Sequence, residues 1–342
     1  MRANKNLHSL TPQTGFTLIE IMVGMVIGLL ATIVIMQVFS VFEAQKRTTT
    51  GTADAQTNGS IALFDITRDL QMAGYPFMPI EDSAFECSAV TIDGTAGFNH
   101  SSLSPVTITN GTSDTLTIRY GDAASGGAPS TITALVGNDV TVGSNLGCST
   151  GGRTLVINGS TCAFSIASGV SASSAPPATV TLANTSVAAV DANLSCIGNW
   201  NTVTYAVNNG NLERGGQPAI PEVVNLQAQY GVSDTPNSNQ VTAWVDPTGT
   251  WLTPTIADRN RIKAIRIAVV ARNSKMEPSN VTGDCSTTTG AAPTGLCAWE
   301  GTAASPAPTI FLGADANWKR YRYRVFETII PLRNVIWAKG TL

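Results

Sequence analysis

Apolar positions follow two regimes along the chain. From Phe16 to Phe42 they are nearly continuous, with Glu20 as the single charge. Beyond Pro76 they come in short β-branched or aromatic runs separated by Gly, Asn, Asp and Pro. The first regime reads as a helix of about 40 Å at 1.5 Å per residue, long enough to cross a hydrocarbon layer of about 30 Å. Residues 43–73 between the regimes are polar but keep Ile61, Leu63, Phe64, Ile66 and Leu70 at three- and four-residue spacing. That spacing predicts an amphipathic continuation whose stripe, Ile61, Phe64 and Leu70 included, packs on a globular domain. Gly51 and Gly59 weaken this stretch, and Gly74-Tyr75-Pro76 is a stop signal. One helix from Phe16 to about Met72 is therefore expected, on the order of 85 Å by its rise. Its first proline would be Pro76, so no proline kink is expected.

The second regime predicts strands at 115–121, 153–159, 202–214, 240–245, 261–272 and 319–334, with a hairpin turn at Asn208-Asn209-Gly210. Gly/Ser/Thr/Ala-rich stretches at 122–130, 168–178 and 282–308 read as loops or disorder. No fixed-period repeat stands out. The expected fold class is α+β, a long N-terminal helix packed on a large β-rich globular domain. The pattern divides the chain into a polar, mildly basic segment at 1–15, an apolar half-helix at 16–42 long enough to span a membrane, an amphipathic half at 43–73 and a globular domain at 74–342.

Charged residues make up only 13% of the chain, against roughly 25% in ordinary soluble domains. The net charge is −3, and −5 without a leader carrying Arg2 and Lys5, so bulk attraction to nucleic acid is not expected. Cys87, Cys148, Cys162, Cys196, Cys285 and Cys297 all follow the apolar segment, and none forms a C-x-x-C pair. An even count of this kind reads as disulfides in an oxidising compartment, not as a zinc site. Cys285 and Cys297 bracket a Gly/Thr/Pro-rich loop and are the easiest pair to propose; the other four stay unassigned.

Catalytic chemistry finds little support. The only histidines are His8 and His100, and no nucleophile elbow, phosphate loop or dinucleotide glycine pattern occurs. Asp191 to Asn193, and Asp234 with Asn237 and Asn239, lack the ordered spacing of a calcium loop and read as turn residues. No enzyme, metal or cofactor is expected. Lys319, Arg320, Arg322 and Arg324 form the one basic cluster, with alternation that would place the arginines on one strand face and Tyr321 and Tyr323 on the other. DNA contact is a possible use of it, but a solvated strand face accounts for the same pattern.

A secretory signal would be cut after its apolar region, yet no A-x-A-like site follows Phe42. The candidate cut precedes the apolar run, between Gly15 and Phe16, so the helix stays on the mature chain. The string GFTLIEIMVGMVIGLL resembles the cleavage and N-methylation signal of type IV pilins and type II secretion pseudopilins. The resemblance implies cleavage after Gly15 by a prepilin peptidase, N-methylation of Phe16, and pairing of Glu20 with the amine of Phe16 on a neighbouring subunit. A lone acid snorkelling to the headgroups is the alternative for Glu20. Gly24 and Gly28 form a small-x-x-x-small face open to another helix. RDLQMAGY, TYAVNNGNLER, PEVVNLQAQYGV, IKAIRIAVVAR and YRVFETIIPLRN are further similar to the PilW family of minor pilins. That likeness implies a subunit resident in the inner membrane with a periplasmic ectodomain, later in the pilus. Its implied partners are other minor pilins, the major pilin, the assembly platform and, before assembly, the lipid bilayer. A priming role at or near the fibre tip is implied as well. A J-type pseudopilin and a tip adhesin or DNA-binding module are the alternatives.

Overall fold

A computed structural model describes residues 15–76, 87, 89–92, 104–124, 127–286, 295–299, 308 and 310–336. The chain forms two compact units, Met1–Thr50 and Gly51–Leu342. Helix α1, Leu18–Met72, ends where the pattern predicted. Gly74 takes a left-handed conformation (φ 75°), and its N–H donates to Arg119 O, which satisfies the chain beyond the last turn.

The buried face of α1 differs from the expectation. Ile66 and Leu70 are buried and Leu63 packs beside them, but Ile61 and Phe64 are exposed. The stripe is instead Gly51, Ala55, Gly59, Ala62, Ile66, Asp69 and Leu70. Small residues lead it because the domain supplies the bulk: a Cβ on Gly51 would collide with the Asn273 side chain, and one on Gly59 with the Phe326 ring. The two glycines that weaken the helix are thus what allow the close approach.

Polar groups fix the same face. The buried carboxylate of Asp69 accepts hydrogen bonds from Tyr205 Oη (2.7 Å) and Arg214 Nε (2.9 Å). A second guanidinium nitrogen of Arg214 lies 2.9 Å from the same oxygen. Burial, and then the bond to Asp69, hold the Tyr205 hydroxyl well above its ordinary pKa. Burial alone would lower Arg214, but its bonds to Tyr205 and Asp69 outweigh that and hold it protonated.

Tyr205 and Arg214 belong to β10 (Trp200–Asn208) and β11 (Asn211–Arg214), the expected hairpin. With β2 (Val106–Thr109), β3 (Thr115–Gly121) and β12 (Gln217–Pro221) they form a sheet of order β12-β11-β10-β3-β2. A second sheet has the order β14-β13-β15-β16, from β13 (Val223–Val232), β14 (Ala243–Val245), β15 (Ile262–Arg272) and β16 (Tyr323–Pro331). The strand expected at 240–245 is therefore only its last three residues. Ile66 and Leu70 share one hydrophobic core with both sheets, which contribute Ile118, Tyr205, Leu226 and Ile267 among others. Ile262 to Ala271 are all buried because the second face of β15 is also covered. There Arg266 Nε donates to Gln229 Oε1 (2.7 Å), and its guanidinium lies over Trp244 and Trp299.

The turn before β3 joins the two sheets. Asp114 accepts from the backbone N–H of Ala228 (2.8 Å) and Gly111 (3.1 Å), and its own N–H donates to Leu226 O (2.8 Å). Burial pushes its carboxyl up to about 6 against those two donors, with Asp246 adding to the rise.

The remaining strands close on themselves. β4 (Ser130–Val136), β5 (Asp139–Val142), β6 (Arg153–Asn158), β7 (Thr161–Val170), β8 (Ala178–Leu182) and β9 (Asn193–Gly198) pair in the ring β4-β5-β8-β7-β6-β9 and back to β4. Their inward residues, among them Ile132, Val156, Ala163, Ala178, Val180 and Leu194, make a second core. Leu155, Ile157, Cys162 and Phe164 on the outward side of β6 and β7 join the main core, so this wall seats the barrel. β1 (Ala89–Ile92) adds alongside β7 in parallel. The stretch expected as a loop at 168–178 in fact begins inside β7.

The barrel also contains a repeat that its sequence hides. Residues 141–158 and 181–198 follow the same succession of strand, irregular connection and strand. Cys148 N→Asn145 O recurs as Ala188 N→Thr185 O, both at 3.0 Å. Gly151 and Asp191, at matching positions, both have positive φ. Each crosses to the other half, Gly151 N to Ala167 O and Asp191 N to Ile132 O. Only Thr141/Thr181 and Ile157/Ile197 are identical between the copies, which is why no repeat was legible.

Three disulfides complete the domain: Cys87–Cys162, Cys148–Cys196 and Cys285–Cys297. The first ties the segment before β1 to β7, the second ties the β5–β6 connection to β9, and the third closes a short loop beside the bridge Asp284–Leu296.

Two outcomes follow for the detergent-solubilised full chain. Tyr205→Phe removes a donor from a buried carboxylate and should cost about 1.5–3 kcal/mol in chemical denaturation. Asp114 has a folded pKa above its unfolded value, so its contribution is most favourable below about pH 4 and is lost as pH rises through about 6. The stability of wild type relative to Asp114→Asn should therefore increase as pH falls from 7 to 4, by at most about 3 kcal/mol. A pH-independent difference would contradict this.

Candidate functional site

The N-terminal unit carries the residues singled out for processing and assembly. Gly15 and Phe16 are exposed ahead of α1, and a Cβ on Gly15 would meet nothing within 4 Å, so the fold itself does not demand glycine there. Thr17 and Glu20 form a reciprocal cap that the sequence reading missed. Glu20 N donates to Thr17 Oγ1 (3.2 Å), while Thr17 N (2.9 Å) and Thr17 Oγ1 (3.0 Å) donate to Glu20 Oε2. The legible signal was the spacing Thr-x-x-Glu at the start of an apolar run. The acid assigned only to assembly thus also closes the helix N-terminus of its own chain.

The apolar stretch beyond it has a mean hydropathy of 2.6 over 18 residues, and none of that window is buried. Thr32 and Ser40 donate to Leu29 O and Gln37 O, both at 2.8 Å, so their hydroxyls need no external partner. Gly24 and Gly28 have no atom within 4 Å of an added Cβ and remain open on the helix surface. Among the described residues nothing covers this surface; an apolar face of this extent requires lipid or other helices.

The basic cluster is arranged differently from the expected strand face. Trp318–Arg320 form a short 3-10 turn and β16 starts only at Tyr323, so Lys319, Arg320, Tyr321 and Arg322 all precede the strand and Arg324 alone of the basic cluster lies on it. Lys319 Nζ lies 2.8 Å from Asp284, Arg322 Nε 2.9 Å from Glu277, and Arg320 Nε donates to Glu277 O (2.8 Å). These pairings offset much of the local positive charge. Among the described residues no group of three or more His, Cys, Asp or Glu could hold a metal ion. Asp234 accepts from Thr242 Oγ1 (2.7 Å) and Asp191 occupies its positive-φ turn, so both have local structural roles. His8 and His100 lie outside the described residues.

An apolar N-terminal helix, capped by an acid and left uncovered, followed by a disulfide-bonded β-rich domain, defines a pilin-like architecture. Two family models match the chain: Type IV Pilus-assembly protein W over residues 187–334, and the prokaryotic N-terminal methylation motif over residues 10–36. Together these are the matches of a PilW-like type IV minor pilin. Comparisons with curated proteins and with solved structures found no match. The first match takes in β9 to β16, and so most of both open sheets, while residues 37–186 fall between the two matches.

Proposed function

We propose that the chain is a structural minor pilin. It would be inserted in the inner membrane with its ectodomain in the periplasm, cut between Gly15 and Phe16 by prepilin peptidase, and N-methylated on Phe16. It would then join other minor pilins in a complex that primes assembly at or near the pilus tip. The major pilin and the inner-membrane assembly platform are its further partners in this reading. The single observation that carries it is the uncovered apolar segment headed by Gly15, Phe16 and Glu20, which coincides with the methylation-motif match. Methylating the amine leaves its positive charge, so a carboxylate at Glu20 on a neighbouring subunit remains a suitable counter-ion. A charge in hydrocarbon costs about 2.5–3.5 kcal/mol at mid-bilayer, which favours such a pair over an isolated acid.

Processing is tested by complementing a deletion strain. Wild type should restore piliation, while Gly15→Val should accumulate an uncleaved precursor of unchanged ectodomain stability, since the added side chain meets nothing in the fold. Intact-mass analysis of a mature chain beginning anywhere but N-methylated Phe16 would refute this. Scoring secretion in the same strains separates a pilus role from a secretion role.

The two roles of Glu20 are separable. Glu20→Gln keeps an acceptor for Thr17 but removes the charge, whereas Glu20→Ala removes both. If charge pairing drives assembly, both variants should be depleted from sheared pili to a similar degree. Recovery of Glu20→Gln at wild-type levels would leave only the cap as the function of this residue.

A further inference from the structure

The globular domain holds a cleft whose lining includes none of the residues assigned to processing or assembly. Among the described residues, the β2–β3 turn, the β10–β11 turn and the segment 311–315 surround a space of about 420 Å³, within the range of roughly 300–1,000 Å³ found for small-molecule sites. Its walls are tied together from beneath. Asn225 is 1% exposed; its Nδ2 donates to Thr112 O (2.8 Å) and Phe311 O (3.4 Å), and its Oδ1 accepts from Gln227 Nε2 (2.9 Å). Asn225 is itself part of the lining, and its amide, satisfied in this way, holds the two lips in register.

The lining combines an apolar surface with charge-paired polar groups. Phe311 is half exposed and lines the cleft. Arg272 lies 2.8 Å from Glu222 and 3.5 Å from Asp315, with its guanidinium 4.7 Å from the Tyr321 ring centroid. One cation is thus matched by two carboxylates, so the cleft offers no surplus positive charge to an anion. At the β10–β11 turn Gly210, with φ 74°, keeps the space beside Arg272 clear of any side chain.

A ligand suited to this lining presents a flat apolar face to Phe311 and a compact set of uncharged hydroxyls to Asp315, Arg272 and Asn209. A pyranose ring has both. We propose that the cleft is a binding site for a neutral saccharide, a role that goes beyond assembly and does not depend on it.

The test uses the full chain in a detergent free of sugar headgroups, titrated by saturation-transfer NMR against neutral hexoses, N-acetylhexosamines and their disaccharides. At least one should bind saturably. Phe311→Ala should weaken it about tenfold, or about 1.4 kcal/mol, with the disulfides and circular dichroism unchanged. Asn209→Gly, which keeps the left-handed turn backbone (φ 49°) while removing the side-chain amide, should weaken it as well. Piliation by Phe311→Ala should equal wild type, which keeps failure here distinct from failure of the assembly reading. The proposal is overturned if no neutral sugar saturates, if both variants bind as wild type does, or if anionic sugars or basic peptides bind in preference.

Discussion

The packing of α1 on the globular domain depends on one buried carboxylate. Asp69 projects from α1 into a site that water does not reach, where an unpaired charge would cost several kcal/mol. The structure meets that cost with Tyr205 and Arg214, both from one hairpin. The helix is thereby fixed in rotation and in axial position against the β12-β11-β10-β3-β2 sheet. The small-residue stripe from Gly51 to Ala62 then lets Phe326 of the other sheet, and Asn273 just beyond its β15, approach the same helix closely. Hydrophobic burial drives the association, and the Asp69 cluster selects one arrangement from the many that would bury similar area.

Glu20 shows the same economy at the other end of α1. The carboxylate at the third helical position accepts from the Thr17 N–H and hydroxyl while the Thr17 hydroxyl oxygen accepts from Glu20 N, so the acid is held in place by its own helix. A counter-ion on another subunit would meet a preorganised group instead of a freely rotating one.

The barrel is the least expected part of the fold. An open sheet of short, weakly charged strands would leave edges free to pair with other chains, and closure removes those edges. Small inward residues such as Ala163, Ala167, Ala178 and Ala192 fit a narrow interior. Most of the barrel lies outside the family match, whereas β10 to β16, which supply much of the main core, lie within it. The barrel thus has a core of its own and shares one wall with the main core.

Sequence alone determined the features that depend on neighbours along the chain: the apolar helix and its end at Gly74, the Asn209-Gly210 hairpin, the long strand at 262–272 and the processing motif. Each is written in local periodicity, turn chemistry or a contiguous string. Tertiary structure decided what depends on residues far apart. Which face of α1 is buried was misread for Ile61 and Phe64, because large apolar side chains give the stronger periodic signal although the domain required small ones. Asp69 gave no sign of being buried, since its partners lie 136 and 145 residues away. The connections among Cys87, Cys148, Cys162 and Cys196 followed from strand order, and the barrel's repeat from backbone hydrogen bonds that two nearly unrelated sequences can make equally well. Backbone pairing constrains conformation far more tightly than it constrains side-chain identity, and for that reason the ring of strands could be seen only once it was closed.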